Sequence, residues 1–515
     1  MISTNFGLSL AVFTVAASVC CGSAHAESAN HSPVVVSISA NTGEIAGFNS
    51  IRVFRNLAPG HGEGMFAKQT FDLEPPSARW KLGRDTTIFI GALPPGEYSF
   101  RGFYAAGKSL TVGEKNLLGK FIVTAGKPVD LGRLVLTPVN SNVLIGRISL
   151  PSPNMALMRR VVPEKAALFA GEAASGWTGP NEAAQGFEKY SLANTVGADC
   201  ATERADGTVF AASRLGTVLM RSSAGRWRGI HGVGMESLFC VLPVDMPDTE
   251  LVAVGEMLTL LRKPRGADQL VAINPGNLPP GDLMKINGSP SMGWFVVHKL
   301  GNNVTLYRSS KLEAGDWTVV LNEDIGKDNV LNSDGIFTWQ TDAGMGYAKQ
   351  KGPFMVFENA SGQWSERALP PEHSYLKHVA ANGNGVISMR CARVNSLHLL
   401  RDSNFISKDM GAHWTPIAQQ PGNAWMQIQV LHDGTLITGS AGTHFSTSRD
   451  NGATWVPGGK HENRRFLPLR SGTLLNFDDG KYGYFSIDSS TDGGKEWFGE
   501  YSTFNRQAYE AQQKK

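Results

Sequence analysis

Chemistry requires nucleophiles, acids or metal ligands that can converge, and this chain offers few such groupings. His61-Gly62-Glu63, and Glu372-His373 with His378, lack the helical His-Glu-x-x-His spacing that aims two imidazoles at one zinc. They read as loop histidines. Asp342 and Asp478-Asp479-Gly480 match neither an EF-hand nor a nonapeptide calcium repeat. No metal and no cofactor is therefore expected. Glycoside hydrolysis needs two carboxyls facing each other at roughly 5 to 9.5 Å, and no such pair stands out. Arg214, Arg390 and Arg393 fall on candidate inner strands, but no ligand role is assigned to them. The thiols are more informative. Cys200 lies six residues before Asp206 and Cys240 eight before Asp248, so both fall near the entering strands of adjacent units. A Cys200–Cys240 disulfide is one expectation; three buried thiols, with Cys391, is the other.

The elements that must position these groups are announced by a repeat. Ser-x-Asp-x-Gly-x-x-Trp occurs at Ser407, Asp409, Gly411, Trp414, again at Ser448, Asp450, Gly452, Trp455, and again at Ser490, Asp492, Gly494, Trp497. Asp and Ser side chains satisfy backbone amides in a tight turn, Gly takes positive φ, and Trp anchors one layer to the next. Before the second copy, Asp433 to Thr447 reads as strand, glycine turn, strand. A period of 41 or 42 residues between these tryptophans means a radial or stacked array of β-meanders.

Weaker copies extend the array. Ser361-Gly362-Gln363-Trp364 keeps the ends of the motif, and Ser310 to Trp317 carries Leu312 and Ala314 where Asp and Gly belong. Asp206 to Thr217 tracks Asp433 to Thr443 and leads into Ser222 to Trp227. The interval from Trp227 to Trp317 is 90 residues, room for one unit that has lost its Trp, with strands expected at Glu250–Gly255 and Leu258–Leu261. The expected fold is all-β: a seven-bladed propeller over about 185–505, with six to eight blades as bounds. An eighth would be marked by Trp177.

The motif resembles the Asp-box, or BNR repeat, of sialidase-like β-propellers. In that superfamily the box is an outer structural turn, shared by sialidases, xyloglucanase-like glycosidases, sortilin-type receptors and photosystem-assembly propellers, so it implies a fold and leaves activity open. A sialidase would need three convergent arginines, a Tyr with its Glu, and an Asp. Its first arginine belongs to a Phe/Tyr-Arg-Ile-Pro phrase. The nearest match, Phe54-Arg55-Asn56-Leu57, precedes the repeats altogether.

Residues 33–140 have another texture, with short alternating runs at Val34–Ile38, Ser50–Phe54, Thr87–Ile90, Tyr98–Phe103, Lys120–Val123 and Arg133–Leu136. They suggest a small β-sandwich. The phrases Leu93-Pro94-Pro95-Gly96-Glu97-Tyr98 and Val123 to Gly132 resemble carboxypeptidase-regulatory or transthyretin-like accessory domains. Residues 141–184 are expected to be linker and entry strand, and 506–515 a polar tail. At the other end, Phe6 to Val19 is apolar and Ala24-His25-Ala26 offers a cleavage site, so residues 1–26 read as a signal peptide. A lipoprotein at Cys20 is the lesser alternative, because Val19 stands where a small residue is wanted. No later apolar run would span a membrane. A formal net charge of +3 gives no reason to expect nucleic acid as partner. The expected function is a periplasmic or secreted, non-catalytic propeller binding a protein or carbohydrate partner. The alternative is an exo-acting glycoside hydrolase of the sialidase or xyloglucanase type.

Overall fold

In a computed structural model, the described residues are 31–41, 48–56, 70–76, 85–105, 108–111, 118–139, 142–148, 154–169, 175–179, 184–325, 336–370, 375–382, 384–394, 400–419, 427–439, 443–461, 465–479 and 484–503. Residues 1–26, expected to be a signal peptide and including Cys20, lie outside them, as do His61, Glu63, Glu372, His373 and residues 506–515. Among the described residues no helix is long and apolar enough to cross a membrane.

Alternation of apolar and polar residues before residue 150 builds two sheets. Ser32–Ala40 lies between Thr86–Leu93, antiparallel, and Val129–Val139, parallel, with Asn142–Arg147 at the edge. The second sheet runs Trp177–Thr178, Lys120–Val123, Gly96–Ala105, Ser50–Asn56, Thr70–Leu73, with Lys108–Thr111 also pairing Gly96–Ala105. Val34, Val36 and Ile38 of the first sheet share one core with Val53, Tyr98, Phe100, Phe103 and Phe121 of the second. The Tyr98 hydroxyl, at the end of the Leu93–Tyr98 phrase, donates to the Pro94 carbonyl at 2.6 Å.

The span expected as linker is partly built into this unit. Asn142–Arg147 and Trp177–Thr178 complete the two sheets, and helices Asn154–Val161 and Ala184–Ala193 flank them. Trp177, weighed above as the mark of an eighth blade, pairs with Phe121, stacks on Phe100 at 5.8 Å between ring centroids, and lies under the Arg147 guanidinium. Its large apolar face is taken by the first core, so it anchors no further blade.

From Ala201 onward the chain forms seven sheets, each of four consecutive antiparallel strands, over 201–231, 238–272, 282–324, 336–367, 375–416, 427–461 and 466–502. We number them one to seven. Their first strands touch one another around a channel, while fourth strands such as Thr318–Asp324 and Phe498–Ser502 are largely exposed. This is an all-β propeller. Apolar side chains fill the clefts between consecutive sheets, as where Val252 and Val254 of sheet two meet Ile286, Trp294 and Val296 of sheet three.

The seam between sheets seven and one carries no shared strand: sheet seven pairs only within itself. Side chains close it instead. Arg221 of sheet one donates to both carboxylate oxygens of Glu500 at 2.6 and 2.7 Å, and Trp227 Nε1 donates to the same carboxylate at 2.8 Å. Beneath them, Val209, Ala211 and Leu219 pack on Leu475, Phe477 and Ile487.

Candidate functional site

The repeated motif was the first candidate, and its geometry is that of a staple. In its first copy Ser407 Oγ donates to Asp409 Oδ1 at 2.8 Å and accepts from the Gly411 amide at 2.8 Å, while Asp409 Oδ1 accepts the His413 amide at 2.9 Å. The copies at Ser448 and Ser490 repeat the serine bonds at 2.8 to 2.9 Å, with Asp450 and Asp492 taking the amides of Thr454 and Glu496. Gly411, Gly452 and Gly494 all have φ between +84° and +87°. A Cβ on each would strike Phe354, Ile417 or Phe445 respectively, always in the preceding sheet. The Ser and Asp bonds close the turn on itself, and its Gly and Trp lie against the neighbour: Trp414 meets Phe354 edge-on, Trp455 donates to the Gln419 carbonyl, and Trp497 packs on Phe445.

The weaker copies do the same work with other groups. Trp364 meets Phe295 of sheet three edge-on at 5.7 Å, and Trp317 exchanges two hydrogen bonds with Asn277, which follows the last strand of sheet two. In sheet two, buried Leu270 stands just before the fourth strand, where the others carry Trp, and packs with Ile230 of sheet one. The unit that lost its tryptophan kept an apolar anchor at that place.

The first strands build a different kind of site. Inter-sheet ties cross the channel wall: Gln340 of sheet four exchanges two bonds with the Gly288 backbone of sheet three, and Asn382 of sheet five reaches the Leu431 carbonyl of sheet six. Gln429 reaches the Phe466 carbonyl of sheet seven, and Glu203 of sheet one accepts the Arg470 amide. Between sheets one and two the tie is sulfur: Cys200 Sγ and Cys240 Sγ stand 2.9 Å apart, both as thiols.

At one end the channel widens into a cavity of about 860 Å³ and a contiguous one of about 290 Å³, which share Thr202, Glu203, Gln340, Asn382 and Arg470. Four cations (Arg204, Arg265, Lys285, Arg470) and four anions (Glu203, Asp206, Asp245, Asp342) line the larger one, so it favours neither sign. Two of the arginines are already paired, Arg204 with Asp206 and Arg265 with Asp245. The Arg204 hydrogen bond, ahead of the Thr208 amide, holds the Asp206 carboxyl well below the usual range. Among the described residues no tyrosine lines either cavity.

The arginines raised by the sequence do not converge there. Arg214 lies in a turn at the far end and pairs with Asp85 at 3.1 Å, while Arg390 and Arg393 lie on the second strand of sheet five. Arg55 spends its guanidinium on the Pro95 carbonyl in the second N-terminal sheet. His378, on the first strand of sheet five, is pushed down to about 4 by burial and then by the Arg390 charge. The mouth was not legible in the sequence because its residues come from seven separate sheets.

The far end of the ring is covered over sheets one to three. Turns there bring Glu236 to Arg133 at 2.9 Å and Arg160 at 3.3 Å, Arg214 to Asp85, and Glu256 to the Asp85 amide at 2.6 Å. Met257 and Leu300 join the apolar cluster of Val35, Ile88, Leu157 and Met158. Burial is the strongest single influence on Glu236 and acts to raise it, but the two arginines and their hydrogen bonds together hold the carboxyl at about 2. Glu256 is driven the other way, well above the usual range, by burial and then by the Asp85 and Asp282 charges. The channel mouth lies at the opposite end, among the turns that join first to second strands.

No protein-family model matches the chain, and no curated protein matches it. Similar solved structures are a catalytically inactive virginiamycin B lyase from Staphylococcus aureus with quinupristin (11% identity, TM-score 0.37, covering 58% of this chain and 94% of that one) and YCF48 from Cyanidioschyzon merolae (14%, 0.38, 58% and 94%). The WD40 β-propeller domain of Doa1 is similar over 55% of this chain and 90% of its own, at 11% identity and TM-score 0.35. The assignment of the fold rests on the seven sheets themselves.

Proposed function

We propose that this chain is a secreted, non-catalytic β-propeller of the cell envelope that binds a protein or glycan partner at the uncovered mouth of its channel. The observation that carries this reading is the mouth itself: an open cavity of about 860 Å³, balanced in charge, with two of its three arginines paired. Amide and hydroxyl groups on its wall, among them Asn287, Thr202 and Thr338, suit the backbone of a polypeptide loop or the hydroxyls of a sugar. The N-terminal sheets support the same reading, since they dock on the other face, over sheets one to three, and leave this one open. The leader at residues 1–26 supports an envelope location.

The test plugs the mouth. Thr202→Trp, checked for folding by circular dichroism, should reduce cross-linking to envelope partners by about tenfold or more relative to wild type. A Phe498→Ser variant on the outer rim should leave it unchanged. Equal capture by the plugged and unplugged proteins would overturn the assignment of the mouth. Turnover of sialosides or xyloglucan oligosaccharides that the plug abolishes would overturn the non-catalytic reading.

A further inference from the structure

Two thiols stand in the wall of that mouth, and their setting differs from that of the third. Cys200 directly precedes the first strand of sheet one and Cys240 lies on the first strand of sheet two. Both line the mouth cavity, and their sulfurs stand 2.9 Å apart, against about 2.05 Å for a formed disulfide. Cys200 is half-buried at the cavity wall, and Cys240 lies behind it at 6% exposure. Lys285, from the first strand of sheet three, lines the same cavity. Cys391 sits instead in the closed core of sheet five.

We propose that Cys200 and Cys240 are a redox-active dithiol, closed to a disulfide by exchange with a low-molecular-weight disulfide entering through the channel mouth. In the exchange the Cys200 thiolate attacks one sulfur of the incoming disulfide. A mixed disulfide forms on Cys200 and one small thiolate leaves, taking up a proton. Cys240, deprotonated in turn, attacks the Cys200 sulfur and expels the second small thiolate, which takes the other proton. Two protein thiols are oxidised to one S–S bond, and the small disulfide is reduced to two thiols. The bond ties sheet one to sheet two at the junction where other sheets use Gln340, Asn382 and Gln429.

The electrostatics agree with this order of events. The hydrogen bond from Cys240, then the Lys285 charge and the Val241 backbone, favour the Cys200 thiolate and pull its pKa down against burial. Cys240, which holds the shared proton, is pushed up. Cys391 is pushed up to about 12 by burial and by Asp402, which makes it an internal control of low reactivity.

The experiment uses the full folded chain equilibrated with oxidised glutathione, then alkylated, with intact-mass and peptide-mass readouts. Wild type and Cys391→Ser should both lose two hydrogens and yield a joined Cys200–Cys240 peptide. Native thiol labelling of Cys200 should outpace that of Cys391 by at least about 100-fold. Cys240→Ser should retain a glutathione adduct on Cys200, whereas Cys200→Ser should leave Cys240 unmodified over the same interval. If a serine variant misfolds by circular dichroism, Cys240→Ala takes its place, and the wild-type peptide map decides by itself. Both thiols remaining open to alkylation in wild type after equilibration would overturn the proposal, as would an adduct that forms first on Cys240.

Discussion

Sheets five to seven carry the motif in full, and sheets one to three carry it eroded, yet the eroded sheets are the better secured. Sheets one to three are held from one end by the N-terminal unit, through Arg133, Arg160, Asp85 and the cluster around Leu157 and Met158. Among the described residues sheets five and six show no such contact, and sheet seven has only the Tyr501 hydroxyl donating to the Ala193 and Thr195 carbonyls. The contacts of sheets one to three fall at the turns around Arg214, Glu236, Glu256 and Leu300, at the end of the sheets opposite the eroded motif turns, so they secure the sheets as a whole rather than those turns. The motif is most legible in the sheets that those N-terminal ion pairs do not reach.

The comparison breaks first at the seam. Glu500→Ala leaves Arg221 and Trp227 Nε1 without their shared acceptor at a site where both ionic side chains are about a tenth exposed. It should cost about 3–5 kcal/mol in urea unfolding, and a loss below about 1 kcal/mol would show that apolar packing alone closes the ring. Nearly as large is the effect expected at the eroded copy. Trp317→Ala empties a site of 4% exposure and should cost about 3–5 kcal/mol, whereas Trp455→Ala, in a perfect copy with its indole half-exposed, should cost about 1–2 kcal/mol. The reverse order would mean that fidelity of motif tracks stability after all.

Acid should loosen the supported half. The Glu236 carboxyl is held at about 2 in the folded protein against an ordinary 4.5, so its contribution is complete above about pH 5 and is lost as pH falls towards 2. The loss is on the order of 3 kcal/mol, and Glu236→Gln should remove that acid dependence in thermal melts. Glu256 acts with the opposite sign: its raised pKa means the folded chain binds the extra proton, so its contribution declines as pH rises above the ordinary carboxyl range.

The smallest effects sit at single backbone angles. Gly452→Ala places a Cβ 2.4 Å from Ile417 Cγ2 at a φ of +84° and should destabilise by about 1–3 kcal/mol. Ala314 already occupies a φ of +46°, so Ala314→Gly should lie within about 1 kcal/mol of wild type. Parallel melts of the two variants decide whether the perfect turn is the more constrained.

Local features were readable from the sequence because they are short-range. The motif's hydrogen bonds link residues two and four apart, and every strand expected before residue 140 has its counterpart, Ser32–Ala40 to Val129–Val139. Leu270 shows the reverse: any apolar residue serves as the anchor, so the missing Trp left a gap whose position was readable and whose occupant was not. Trp177 misled because its Ser-Gly-Trp phrase matches Ser361 to Trp364 while its partners, Phe100 and Phe121, lie far back in the chain. The channel mouth was illegible for the same reason, assembled from residues as distant as Glu203 and Arg470. The cysteines were intermediate, since their strand positions could be phased from the repeat.

The seam without a shared strand has a consequence for the order in which the molecule assembles. Every sheet is a run of neighbours in sequence, so each can form as soon as its own residues are available, and low contact order favours rapid formation. The Arg221–Glu500 contact spans 279 residues and can be made only when the last strand is in place. Closure is then a terminal event, a latch rather than a weld, and amide exchange in Phe498–Ser502 should report its opening before the inner strands of the same sheet give way.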